Sequence, residues 1–397
     1  MTTELAAARL PKLHRAWRLL PQEARRAVLR QGLAWLAPRP DHPPPPVRAG
    51  IAVGGELDRA SGVGEAARLT LHALRVLNVP SWPVHSGERP PPAGAPLILH
   101  VNAPSLPLAM LRFGRSVVHR RRIVGYWPWE LPVVPESWRI GLPFVHEVWA
   151  PSRFSATALQ RIAPSVRVVP YPVAACPPTP SALSRADFGL PEEAVITLVA
   201  FNLASSYARK NPLAAIAAHR AAFGGRSDRL LLIRVGTPHH FPDDFRDLQA
   251  AAAALPNVRL DTSTLERDDA HAVMACCDIV LSLHRSEGFG LVPAEAMLLG
   301  KPVIATDWSG NLDFMDPDCA AMVPARLIPA RDPRGVFEAP GAVWADPDIE
   351  VAANWLARLA GDEALRAQLG AAGRAAAQAR LGPGPLASAV RSLGLAV

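Results

Sequence analysis

The stretch Ser282–Met315 (SLHRSEGFGLVPAEAMLLGKPVIATDWSGNLDFM) leaves the chain few folds to choose from. It predicts strand, glycine loop, short helix and strand, in that order. Asp278–Leu283 is a compact apolar run, and Gly288-Phe289-Gly290 supplies a flexible turn. Pro293 suits the first helical position, where its missing N–H costs nothing, and Gly300 suits the helix end. Pro302–Thr306 reads as a second buried strand. Such a unit requires a parallel pair with a right-handed crossover, and ligands of parallel sheets sit at the carboxyl ends of the strands. That end carries Glu287 in the loop and Glu295 in the expected first helical turn. Two carboxylates therefore flank a helix N-terminus whose free N–H groups favour an anion. The combination suits a ligand with both a phosphate and hydroxyls. Taken alone, the same residues also suit a tight turn and ordinary dipole complementation by Glu295.

Seven residues separate Glu287 from Glu295, among them Gly-Phe-Gly-Leu, and Gly300–Thr306 (GKPVIAT) and Ser309-Gly310-Asn311 follow. In order and spacing this stretch resembles the E-x7-E region of retaining glycosyltransferases of the GT4 type (glycosyl transferases group 1). The resemblance implies a GT-B fold, in which two doubly wound parallel-sheet (Rossmann-like) α/β domains face a cleft. It also implies that Glu295 holds the ribose hydroxyls of a nucleotide sugar, while Glu287 and the Gly288, Phe289, Gly290 and Leu291 amides meet the donor sugar.

The rest of the chain predicts the same alternation without reference to any family. Pro38–Pro46 (PRPDHPPPP) can form neither helix nor central strand and reads as a stiff spacer. Strands are expected at Gly50–Val53, Leu97–Val101, Ile123–Trp127, Val145–Ala150 and Val166–Val169. A second set fits Val195–Phe201, Leu230–Val235, Val258–Asp261, Asp278–Leu283 and Pro302–Thr306, with helices between. Strands alternating with helices mean a parallel sheet covered on both faces. The proline-rich Cys176–Ala182 marks a hinge. The expected organisation is a basic helical segment with linker over 1–47, a first domain over 48–176, a second over 183–375, and a helical segment over 376–397.

Ser205–Pro212 (SSYARKNP) follows the strand ending at Phe201 and places Arg209 and Lys210 at a carboxyl end beside a helix opened by Pro212. Two fixed cations there can neutralise a diphosphate, Arg as a bidentate fork and Lys as a point charge. The segment, Ser206 included, resembles the Arg-Lys-Asn-Pro stretch that contacts the donor diphosphate in that family. The family often has an acid where this chain has Asn202. In the first half, Gly62, Val63 and Gly64 resemble the N-terminal glycine loop. They lack the G-x-G-x-x-G spacing of a dinucleotide site. Gly125–Leu131 (GYWPWEL) ends a strand where many relatives carry a His, so Trp127 and Glu130 are the candidates for sugar contact; core packing is the alternative for the tryptophans. His100 and Asn102 end the preceding strand. Ser152 should cap a helix.

Charge narrows the partners. The net +7 is concentrated in residues 1–36, where seven Lys/Arg face two Glu. The remainder carries 35 positive and 33 negative side chains, a poor footprint for nucleic acid. Leu10, Leu13, Trp17 and Leu20 recur at helical spacing among arginines, as in a basic amphipathic helix that meets an anionic membrane surface or packs on the protein itself. No apolar run approaches the roughly 18 residues that span a bilayer. With four cysteines at no metal-ligand spacing, the expected location is a reducing cytoplasm, peripheral to the membrane at most. Asp316-Pro317-Asp318 and Asp346-Pro347-Asp348 mimic D-x-D, but the central Pro marks turns, so no metal and no cofactor is expected.

The implied reaction moves a hexose from a nucleotide diphosphate sugar to a hydroxyl of a glycan or lipid-linked acceptor, with Glu287, Lys210 and Arg209 as the catalytic groups. GDP-mannose is the first expected donor and a UDP-hexose the second. The same scaffold also serves sugar-nucleotide epimerases, phosphorylases and non-catalytic sugar-nucleotide binders.

Overall fold

Ile51-Ala52-Val53, Leu97-Ile98-Leu99 and Ile123-Val124 are fully buried along their whole length. Strands apolar on both faces need helices on both sides, and the chain provides them. The computed structural model describes residues 22–397; the stretch containing Leu10, Leu13, Trp17 and Leu20 lies outside the described residues. The first sheet contains β1 (Ile51–Gly55), β2 (Ser81–Val84), β3 (Leu97–His100), β4 (Ile123–Tyr126), β5 (Glu147–Ala150) and β6 (Val166–Val168). All neighbours are parallel, in the order β2-β1-β3-β4-β5-β6. The second contains β7 (Val195–Asn202), β8 (Arg229–Gly236), β9 (Val258–Asp261), β10 (Ile279–Ser282), β11 (Val303–Thr306) and β12 (Ala321–Val323). Its order is β12-β11-β10-β7-β8-β9, again parallel throughout.

Four strands were not anticipated: β2 and β12 within the sheets, and an antiparallel pair outside them. Strand β2 carries Pro83, which a sheet tolerates only at an edge, and β2 is the edge strand. β13 (Ala325–Pro329) and β14 (Val343–Pro347) form an antiparallel pair outside both sheets. The segment between them reaches the first domain, where Phe337 and Ala342 join Trp127, Trp129 and Trp138 in one apolar cluster. The C-terminal region forms helices Ile349–Gly361, Glu363–Arg380 and Gly384–Ser392, the first two capped by the carboxylates of Asp348 and Asp362. Among the described residues no helix is long and apolar enough to cross a membrane.

Helix Glu363–Arg380 packs so closely on the end of helix Leu291–Leu298 that a Cβ on Gly370 would lie 2.1 Å from the Gly300 carbonyl oxygen. Gly370→Ala should therefore force the helix outward and cost about 1–3 kcal/mol. Gly361→Ala, where a Cβ meets nothing within 4 Å, should not destabilise. Thermal melting of the two variants beside the wild type checks the contrast; equal midpoints would refute the close packing.

Candidate active site

The second sheet reverses its order between β7 and β10. Loops leaving such a pair diverge and open a crevice at the strands' carboxyl ends. β7 leads into the loop that carries Arg209 and Lys210, and β10 into the loop that carries Glu287. The Lys210 ammonium donates to one Glu287 oxygen, and Arg209 Nη1 lies 3.3 Å from the other. From the first domain, Glu130 Oε1 stands 3.8 Å from Arg209 Nη2. Arg209 also donates from Nε to the Ser205 carbonyl at 3.1 Å and from Nη1 to the Ser286 carbonyl at 2.7 Å. Its side chain is 3% exposed, that of Lys210 19%, so Lys210 is the more accessible cation.

Electrostatics follow from this crowding. Burial raises a carboxyl, but at Glu287 the Lys210 and Arg209 charges outweigh it and hold the group at about 2. Burial raises Glu130, which Arg209 only partly offsets. Burial likewise lowers Lys210 against the pull of Glu287. Cations fixed in a dry crevice can stabilise negative charge as it develops, without the reorganisation that water would need.

The backbone around the cluster is specialised. Ser206 (φ 72°), Asn211 (φ 53°) and Ser309 (φ 83°) are non-glycine residues in the left-handed region, and each is held by hydrogen bonds. Ser206 Oγ accepts the Arg209 N–H at 3.3 Å, and Asn211 Nδ2 donates to the Leu283 carbonyl at 3.0 Å. Ser309 Oγ accepts the Glu287 N–H at 2.8 Å, and the Gly310 N–H donates to the Glu287 carbonyl at 2.9 Å. The buried His284 ring lies 3.1 Å from Asn311 Oδ1, and burial lowers its pKa. The Ser309 and Asn311 signal was present in the sequence as part of a motif, without a role.

Gly290 adopts φ +102° and caps a helix that starts at Leu291, two residues before Pro293. The left-handed glycine turns the chain into the helix early, so Glu295 stands in the second turn rather than the first. Its Oε1 lies 3.8 Å from His271 Nε2. The neighbouring Arg267 bridges to Glu65 of the first domain at 3.1 Å. Glu65 follows the glycine loop, and a Cβ on Gly62 would meet Leu291 Cδ1 at 3.9 Å, so the two loops face each other. Gly64 is required locally, because a Cβ there would come 2.4 Å from the Glu56 carbonyl oxygen. Val63 lies in the first turn of helix Gly62–Val76, which Ser61 caps by accepting the Gly64 N–H.

The glycine loop of the second domain is sealed against the first. Ser152 Oγ donates to the Gly288 carbonyl at 2.6 Å while accepting the Ser155 N–H as a helix cap. The Phe289 ring sits 4.9 Å from Tyr171 and 5.2 Å from Phe314. Trp127 does not join this group. It is fully buried, edge-on to Trp138 at 6.0 Å and against Gly125, and offers no free face for stacking on a sugar. His100 is also internal, 3.1 Å from Thr70 Oγ1, and burial lowers it to about 3.

Among the described residues no group of three or more His, Cys, Asp or Glu side chains gathers as a metal site would. Asp316 pairs with Arg380 and Asp346 with Arg326, while Asp348 caps a helix. Residues 207–346, which include the whole Arg209–Glu287–Glu295 region, match the family model described as Glycosyl transferases group 1. The matched stretch lies in the second domain and runs from the Arg209–Lys210 turn into β14. No curated protein matches the chain. Among solved structures, Anabaena HepE in complex with UDP-glucose is 16% identical at a TM-score of 0.60, over 87% of this chain and 99% of its own. Sucrose-phosphate synthase from Thermosynechococcus elongatus is 18% identical at 0.60, over 87% and 99%. WaaG, a glycosyltransferase involved in lipopolysaccharide biosynthesis, is 16% identical at 0.55, over 86% and 99%. At such identities the likeness concerns the fold, and the fold is GT-B.

A carboxyl whose folded pKa lies below its unfolded value stabilises the protein above the unfolded value, and this contribution disappears as pH falls through the folded one. For Glu287 the window runs from about 4.3, the ordinary value, down to about 2. Glu287→Gln leaves Lys210 and Arg209 without their buried counter-charge and should cost roughly 3–5 kcal/mol at neutral pH. Melting curves from pH 7 to pH 3 should show the wild type losing its advantage over the variant in acid; parallel curves would refute the pairing.

Proposed function

We propose that the protein is a retaining hexosyltransferase that moves a hexose from a nucleotide diphosphate sugar to a hydroxyl of a glycan or lipid-linked acceptor. One observation carries the reading: Arg209 and Lys210 converge with Glu287 at the switch point of a parallel sheet, facing a second such domain. Lys210 and Arg209 stabilise the departing diphosphate. Glu287 and the Gly288–Leu291 backbone meet the donor sugar, Ser206 supports the cation loop, and Glu295 holds the ribose. The Gly62–Gly64 loop and Glu130 face the donor from the first domain. The bond from the anomeric carbon to the phosphate oxygen breaks as the acceptor oxygen bonds to that carbon on the same face, and the acceptor's proton passes to the leaving phosphate. A UDP-hexose is the first donor to test, because HepE, of the same fold, is a complex with UDP-glucose; GDP-mannose is the second.

The N-terminal region is proposed to lie on an anionic membrane surface. Helix Gln22–Leu36 buries Ala34 but exposes Trp35 by 82%, Leu36 by 63% and Leu29 by 56%. Exposed apolar side chains beside arginines suit an interfacial position, and flotation with anionic liposomes should be lost on deleting residues 1–40.

The donor site is tested by thermal shift with UDP, GDP, ADP and their sugar conjugates. One nucleotide should raise the wild-type melting point and fail to do so in Glu295→Ala. Lys210→Ala should lower turnover by about 10²–10³-fold, the loss typical of one preorganised charge-stabilising group. Full activity in both variants would sink the site.

A further inference from the structure

The glycosyltransferase reading assigns no role to the strap between β13 and β14, yet this strap meets the loop of the cation pair at two points, Ser206 and Arg209. Asp332 lies on it and is 1% exposed. Its Oδ2 accepts the Val336 and Phe337 N–H groups, each at 3.1 Å, which shapes the strap. Its Oδ1 instead accepts the Ser206 hydroxyl at 3.1 Å, far away in sequence. An aspartate serving only to cap its own loop would have no reason to spend an oxygen there.

Ser206 is the residue with left-handed backbone that opens the Tyr207–Lys210 turn, and the same hydroxyl oxygen accepts the Arg209 N–H. With its proton committed to Asp332, the oxygen presents a lone pair to Arg209. On its other side the strap sets the Phe337 ring 5.0 Å from the Arg209 guanidinium carbon. That ring stacks on Trp129 of the first domain, 5.6 Å away and inclined by 26°. Arg334 anchors the strap to the second domain by pairing with Asp244, its guanidinium 3.8 Å above the Phe241 ring.

We propose that Asp332 is a positioning residue for the Arg209–Lys210 pair, acting through Ser206 and Phe337; the proposal rests on the glycosyltransferase reading of that pair. Because Phe337 seats on Trp129, the placement of the cations depends on contact between the two domains. Asp332 itself touches neither cation.

Two independent readouts on Asp332→Ala, Asp332→Asn and Ser206→Ala test this. By hydrogen–deuterium exchange, Asp332→Ala should lose protection both in the strap, 330–342, and in 203–211; Ser206→Ala should likewise loosen the strap. In donor turnover, Asp332→Ala should lose about 100-fold in kcat, the cost of misplacing a reacting group by about an ångström, with the donor KM little changed. Asp332→Asn should recover most of this, since its amide can donate to Ser206 Oγ while its carbonyl keeps the strap amides. Faster exchange confined to 330–342, or an unchanged kcat, overturns the proposal. A wild type that turns over no nucleotide sugar defeats the glycosyltransferase reading instead, and the exchange data then decide the Asp332–Ser206 link alone. Should Asp332→Ala fail to fold, Ser206→Ala and Asp332→Asn decide in the same way.

Discussion

Glu287 is a carboxylate almost without solvent, and the cleft is built around keeping it charged. Removing such a group from water costs several kcal/mol unless charges and hydrogen bonds replace the lost hydration. Lys210 and Arg209 supply the charges from the loop after β7, and Ser309 fixes the Glu287 backbone from the loop after β11. Two loops of one sheet, after β7 and after β11, must therefore hold three residues of unusual backbone at the same time. Each is stabilised by a short polar side chain, Ser206, Asn211 or Ser309, rather than by glycine. The strain is tolerable because each side chain is bonded to another segment, Ser206 to Asp332, Asn211 to the Leu283 carbonyl and Ser309 to the Glu287 N–H.

The second consequence is that the halves of the molecule are not independent at this point. The Gly288 carbonyl is capped by Ser152 and Ser155 of the first domain, both buried. Phe337 delivers part of the second domain into the aromatic cluster of the first. These buried contacts matter more than the Arg153–Asp313 bridge, whose arginine is 75% exposed and whose worth is correspondingly small. An arrangement that brings Glu130 beside Arg209 only when the domains meet ties the electrostatics of the site to closure of the cleft.

Much of this was legible in the chain, for particular reasons. Strands β7, β8, β10 and β11 of the second sheet were readable to within a residue or two because they are largely buried apolar runs that end at polar or glycine residues; β12 was not read. Arg209, Lys210 and Glu287 were each readable at the carboxyl end of a strand, and only the resemblance to a known family grouped them; that β7 and β10 are neighbours was not readable. β2 was not readable, since Pro83 argues against a strand unless the strand is known to be at an edge. The helix onset at Leu291 was missed because either Pro293 at its first position or a left-handed Gly290 would serve as a start. Trp127 and Glu130 are three residues apart beyond β4, yet one faces the core and the other the cleft; composition cannot make that choice.

Local chemistry alone determined the alternation of strand and helix, the doubly wound character of both halves, and the presence of cations and carboxylates at strand ends. These depend on periodicity and on glycine and proline, which act over a few residues. Only the tertiary structure decided which oxygen each cation meets, that Ser152 reaches Gly288, and that Asp332 reaches Ser206. Such contacts join residues 77 to 136 positions apart, and nothing in either local segment encodes which of them packing will bring together.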